Sequence, residues 1–121
     1  MGDFRQLTVW QRAHRLALRI YQSTESFPIR ERYGLGAQMR RAAVSVVSNI
    51  AEGCGRRGDR ELTRFLNIAR GSVRELECQL LLSRDLVYVT PDVWTKLDGD
   101  SQEISRMLNG LIRSFRVAHK Q

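Results

Sequence analysis

At 121 residues the chain can bury roughly two-thirds of its unfolded surface in one core and is too short for two, and 42% hydrophobic with 27% charged residues excludes a disordered chain. No apolar run approaches the roughly 18 residues of a membrane span and the first twenty residues hold no signal-peptide core, so one cytoplasmic domain over residues 1–121 is expected. Net charge is +7 and unevenly placed, with 14 arginines against 6 acids in residues 1–74 and 6 bases against 7 acids in residues 75–121, which points to an anionic partner on one face.

The first predicted helix starts at Thr8, where Thr8-Val-Trp-Gln11 has the form of a capping box. Val9, Ala13, Leu16, Ala17 and Ile20 form its core face, and Phe27-Pro28 stops it. Opposite that face Arg12, Arg15 and Arg19 fall within about 40° of one another, a row able to meet successive phosphates. His14, near Leu18 and Tyr21, reads as a packing residue at the helix boundary.

The second helix begins between Glu31 and Gly36 and is apolar on two sides. Met39, Ala43, Val46, Val47 and Ile50 make one face, while Ala37, Val44 and Ala51 make another. Between them Gln38, Arg41, Ser45, Asn49 and Glu52 share a strip about 60° wide. A lone Glu with no second carboxylate or His nearby is poor material for acid-base chemistry, so the strip reads as a structural polar seam with Arg41 or Arg74 as countercharge. The second apolar face implies another copy of the chain as a partner.

The run Gly53-Cys-Gly55-Arg-Arg-Gly58 breaks the helix, and Asp59 is the predicted N-cap of the third. Its core face reads Leu62, Phe65, Leu66, Ala69, Val73, Leu76, Leu80 and Val87, ending near Tyr88, with Leu81 and Leu82 as spare apolar surface. Arg56, Arg57, Arg60 and Arg64 run from the glycine loop into its first turn, the densest candidate nucleic-acid contact, partly neutralised by Asp59 and Glu61. Arginine suits this role because its planar fork matches phosphate and stacks on bases. Thr90-Pro91 opens the fourth helix as N-cap and first residue, with Leu97, Ile104, Leu108, Leu111 and Phe115 inward and one defect at Ser101.

Four helical segments with short connections and no alternating pattern predict an all-α, antiparallel up-down-up-down four-helix bundle. Three stretches carry a family resemblance: FRQLTVWQRAHRLALRIYQ (Phe4 to Gln22), FPIRERYGLGAQMRRAAVSVVSNIAEG (Phe27 to Gly53) and RFLNIARGSVRELECQL (Arg64 to Leu80). Together they resemble the bacterial four-helix-bundle proteins encoded in intervening sequences of 23S ribosomal RNA genes. The resemblance implies an antiparallel bundle assembling as a ring-like homopentamer. It also extends to accessory proteins of diversity-generating retroelements, basic pentamers that work with a reverse transcriptase and nucleic acid. It brings no catalytic residues.

Cys54 and Cys78 lack the spacing of a zinc or redox site, and neither metal nor cofactor is expected. Trp10, Trp94, Tyr21, Tyr33 and Tyr88 sit at core-like positions rather than on a base-stacking platform. The expectation is a non-enzymatic homo-oligomer that binds RNA or DNA through Arg12, Arg15, Arg19, Arg56, Arg57, Arg60 and Arg64. Its subunits would join through Val44, Ala51, Leu81 and Leu82. Two other readings stand beside it. One is a structural or protein-interaction scaffold whose arginines only solubilise. The other is a small helical ribonuclease, because Arg113-Ser-Phe-Arg-Val-Ala-His119 fits the loose Arg-x(4 to 6)-His pattern of the higher-eukaryote-and-prokaryote nucleotide-binding class.

Overall fold

The computed structural model describes residues 2–120, with side chains through residue 116. Four helices make up the chain: α1 (Thr8–Thr24), α2 (Leu35–Cys54), α3 (Asp59–Asp85) and α4 (Pro91–Lys120). Single 3-10 turns at Phe4–Gln6 and Ile29–Glu31 precede α1 and α2, and among the described residues there is no strand. One core joins all four helices. It takes Val9, Ala13, Leu16, Ala17 and Ile20 from α1, Met39, Ala43, Val46 and Ile50 from α2, Leu62, Leu66, Ala69, Val73, Leu76 and Leu80 from α3, and Leu97, Ile104, Leu108 and Ile112 from α4. Each large side chain buried there contributes about 1.5–3 kcal/mol of transfer free energy. Leu111 and Phe115, expected fully inward, are only half-buried against this core, and Ile112 takes the buried position. Ser101 is fully buried and donates to the Leu97 carbonyl at 2.9 Å, which satisfies the one polar side chain on that face.

The helix ends depart from expectation for local reasons. Thr8 lies inside α1 and makes no capping bond, because the preceding 3-10 turn delivers the chain through Leu7. Gln11 instead donates its side-chain amide to the Arg5 carbonyl at 2.8 Å, and Asp3 accepts from the Arg5 amide, capping the turn rather than the helix. Asp59 is the first residue of α3, and Gly58 is its cap at φ 84°, a backbone angle glycine adopts without strain. Thr90 does cap α4, accepting from the Val93 amide at 3.2 Å.

α2 and α3 pack closely. A Cβ at Gly53 would lie 3.0 Å from Leu62 Cδ1 and 3.1 Å from Phe65 Cβ, so a larger residue there would push α3 away by a few tenths of an ångström. At the far end of α3, Tyr88 and Glu31 tie two connections together. The Tyr88 hydroxyl donates to Glu31 at 2.8 Å, and the same carboxylate accepts from the Leu35 amide at 3.1 Å. These two bonds, the amide first, hold the Glu31 carboxyl below its ordinary range.

Val87 does not join the core. α3 ends in a Schellman motif, with the Tyr88 amide bonded to the Ser83 carbonyl and the Val87 amide to that of Arg84. The motif places Val87 in the left-handed region at φ 61° and leaves it 83% exposed, while Val89 takes the buried position. A β-branched residue there is strained by about 1–2 kcal/mol. Val87→Gly is therefore expected to stabilise the fold by about 0.5–1 kcal/mol, read as a higher denaturant midpoint with an unchanged slope.

Candidate nucleic-acid interface

The polar strip of α2 lies against α3. The Ser45 and Ser72 hydroxyls are 2.7 Å apart, and the Asn49 amide donates to the Ser45 carbonyl and hydroxyl at 2.8 and 3.1 Å. Glu52 is bound by Arg56 at 2.5 Å, so its countercharge is one turn along its own chain and not Arg41 or Arg74. Gln38 and Arg41 are exposed and line, with Ser45, Ser72 and Glu75, a shallow groove between α2 and α3.

The row Arg12, Arg15 and Arg19 is not the free cationic surface that its position opposite the α1 core suggested. Arg12 pairs with Glu103 at 2.9 Å and Arg19 with Asp100 at 2.5 Å, both on α4. Arg15 lines the same small recess as these four side chains. Such half-exposed pairs add little stability, but they leave Arg15 as the one arginine of the row without an acidic partner among the described residues.

The second cluster is only partly neutralised, with two of its four arginines left without an acidic partner among the described residues. Gly55 and Gly58 frame a loop carrying Arg56 and Arg57, and the first turn of α3 adds Arg60 and Arg64. Arg56 and Arg64 lie over the Phe65 ring, 5.1 and 4.7 Å from its centroid, and pair with Glu52 and Glu61. Arg57 and Arg60 are exposed and make no ion pair among the described residues. The free amides of the α3 amino-terminus add to this positive potential.

Beside it is a group of side chains that the sequence reading missed. The amino-terminal segment lies on the end of α2, where Gly2, Asp3, Gln6, Leu7 and Cys54 line one cavity. The Arg5 guanidinium sits 4.7 Å from the Phe4 centroid, and the Phe4 edge meets Trp10 at 5.0 Å. Trp10 in turn stacks on His14 at 4.8 Å and 17°. His14 is exposed and, as a packing residue, lies on Trp10. The signal was available in the i, i+4 spacing of Trp10 and His14, which brings two rings together on one helix face. Tyr21 and Tyr33, expected at core-like positions, are exposed.

Exposed apolar residues are Leu18 and Tyr21 on α1, Val44 on α2, and Leu81 and Leu82 on α3, with Ile29, Tyr33, Leu86 and Val87 on the connections. Ala51 is half-buried. The four expected interface residues do not make one surface: Val44 and Ala51 share a flank of α2, and Leu81 and Leu82 lie on α3. Val44 follows Arg40 by one turn, and Arg40 donates to Thr24 and to the Tyr21 carbonyl, so this flank of α2 faces α1. Leu81 follows Arg70 by three turns, and Arg70 donates to Asn109 at 3.0 Å, so this edge of α3 faces α4. Leu82 is rotated from it by about 100°.

Cys54 is buried, which pushes its thiol above the ordinary range, and Cys78 is an exposed free thiol. Among the described residues no three His, Cys, Asp or Glu side chains come together as a metal site would need. His119 lies outside the residues whose side chains are described. No described helix is long and apolar enough to cross a membrane.

Comparison with known proteins gives a family and a fold. Residues 5–110 match the family described as 23S rRNA-intervening sequence protein. The fold is similar to the crystal structure of a protein of unknown function from the S23 ribosomal protein family of Bacteroides thetaiotaomicron. The TM-score is 0.79 and the identity 25%, over 87% of this chain and 98% of that one. No curated protein matches the chain.

Proposed function

The chain belongs to the 23S rRNA-intervening sequence protein family, and on that premise we propose that it is a non-enzymatic, oligomeric helical bundle that binds RNA or DNA through one basic end. The observation that carries this reading is the pair Arg57 and Arg60, exposed and unpaired between two arginines stacked on Phe65. A purely solubilising surface has no need to gather four arginines around one loop.

An antiparallel, up-down-up-down order of the helices supports it. Met39 meets Ser83 while Ser45 meets Ser72, and Arg12 meets Glu103 while Arg19 meets Asp100, so in each pair one chain index rises as the other falls. In that order the exposed Arg113 and Arg116 of α4 come to the same end as Arg5 and the Arg56–Arg64 cluster. Residues Ile29, Tyr33, Leu86 and Val87 go to the other end. One end then gathers the arginine cluster, and the other holds these apolar side chains together with the exposed Arg30 and Arg32.

Subunits would join through the apolar half. Val44 with Leu18 and Tyr21 forms one patch, and Leu82 with Leu86 forms another on a different face. Two unlike patches suit the head-to-tail contact that closes a ring. The number five comes from the resemblance to pentameric proteins. Catalysis has no support in Glu52, which is held by Arg56 and has no second carboxylate as a companion.

Binding to labelled single-stranded and duplex oligonucleotides at rising salt tests the reading. Log affinity should fall with log salt by about 0.9 per phosphate contacted on duplex DNA and about 0.7 on single strands. The oligonucleotide should stay uncut with or without magnesium, and native mass spectrometry should give one homo-oligomer. Absence of binding at about 50 mM salt, where electrostatic binding is strong, returns the scaffold reading. Cleavage abolished by His119→Ala returns the ribonuclease.

A further inference from the structure

We propose that the row Phe4, Trp10 and His14 is a stacking site for an unpaired base, so that the nucleic acid this chain takes is single-stranded. The proposal rests on the nucleic-acid reading above and adds the class of strand to it. Three rings follow one another without a gap: Phe4 edge-on to Trp10 at 5.0 Å, then Trp10 face-on to His14 at 4.8 Å and 17°. The row begins under the Arg5 guanidinium and ends on an exposed imidazole. Trp10 is half-buried against the core, so the stack is anchored on a rigid helix rather than carried on a loop.

The composition of this row is informative. An aliphatic side chain at position 14 would shield Trp10 from water more completely than an imidazole, whose ring adds a flat, polar-edged surface. Flat rings interleaved with arginine are what single strands use: every base has a π-face, and stacking on an aromatic side chain tolerates any sequence. In a duplex those faces are already covered by neighbouring base pairs. The placement completes the site, because the amino-terminal segment rests on the end of α2 that leads into Arg56 and Arg57. A strand whose base lies on His14 can run its phosphates toward that loop.

Trp10 supplies its own reporter. With Trp94→Phe as background, the chain keeps a single tryptophan. Titration with a short oligothymidylate should quench Trp10 emission, and a duplex of the same length should not. His14→Ala should weaken single-strand affinity by about 5- to 100-fold, the range of one base stacked on one ring, with the salt slope and duplex affinity unchanged. His14→Phe should restore it. His14 is exposed, so these variants test stacking without opening the core. Equal, unquenched binding of single strand and duplex, indifferent to His14→Ala, overturns the stacking site and leaves the basic end as a general phosphate binder. No binding of either overturns both readings together.

Discussion

Reversal of Arg56, Arg57, Arg60 and Arg64 to glutamate is expected to abolish nucleic-acid binding at physiological salt. If all four touch phosphate on a duplex, their loss lowers the salt slope by up to about 3.6, and the added negative charge repels what remains. The four are not equivalent. Arg56 and Arg64 cover the Phe65 ring, so their removal exposes an apolar face and lowers stability as well. Arg57 and Arg60 hold nothing in place within the subunit, which makes Arg57→Glu with Arg60→Glu the clean pair. It should cut affinity by at least about tenfold and leave the thermal melt unchanged, since surface substitutions clear of packing stay within about 0.5 kcal/mol. Arg30→Glu with Arg32→Glu, at the other end, is the matched control and should cost far less. Binding that follows net charge alone, with both pairs equally harmful, contradicts a localised basic end. Charge reversal at Arg12 and Arg19 is a poorer probe, because it also breaks their pairs with Glu103 and Asp100.

A second large effect is expected from Val44→Asp or Leu82→Asp. These side chains are 43% and 49% exposed in the subunit, so a carboxylate there costs the isolated fold little. Buried between subunits and unpaired, it costs several kcal/mol, enough to shift assembly by orders of magnitude in concentration. In a head-to-tail ring every contact holds one copy of each patch, so either substitution alone should release monomers, seen by sedimentation or native mass spectrometry. Leu81→Asp discriminates further. It lies on the edge of α3 toward α4, and if it dissociates the assembly while Leu82→Asp does not, the contact runs along that edge instead.

The core of α1 and most of α3 was legible in sequence because burial against two neighbours imposes a helical period, and Val9 to Ile20 and Leu62 to Leu80 obey it. Where the local backbone overrides that period, the pattern misleads. Val87 continues the apolar spacing of α3, yet the terminal hydrogen bonds turn the chain two residues earlier. Thr8 and Gln11 match a capping box, yet the turn before them brings the Arg5 carbonyl within reach of Gln11, whose side-chain amide donates there. In α4, Leu111 matched the spacing, yet the inward face passes through Ile112 once Ser101 is accommodated with its hydroxyl satisfied. The functional surface was harder to see for a different reason. A helical wheel gives the direction of Arg12 and Arg19 but not which helix comes to lie beside them, and α4 comes with Asp100 and Glu103. Phe4 belongs to the amino-terminal turn and only the fold brings it to Trp10, whereas the Trp10 and His14 pair, one turn apart on α1, was readable from spacing.

In the proposed antiparallel order, the arginine cluster and the exposed apolar connections fall toward opposite ends, which would give the bundle a sense of direction. Rotation about a single axis never inverts that direction, so in a closed ring with the bundle axes along the symmetry axis every cationic end lies on the same rim. Weak sites on one rim act on a strand together, and their effective concentration for one another replaces tight individual binding. The opposite rim carries Arg30 and Arg32, two exposed arginines against the four of the loop cluster, so a single ring would hold a strand more tightly on one rim than on the other.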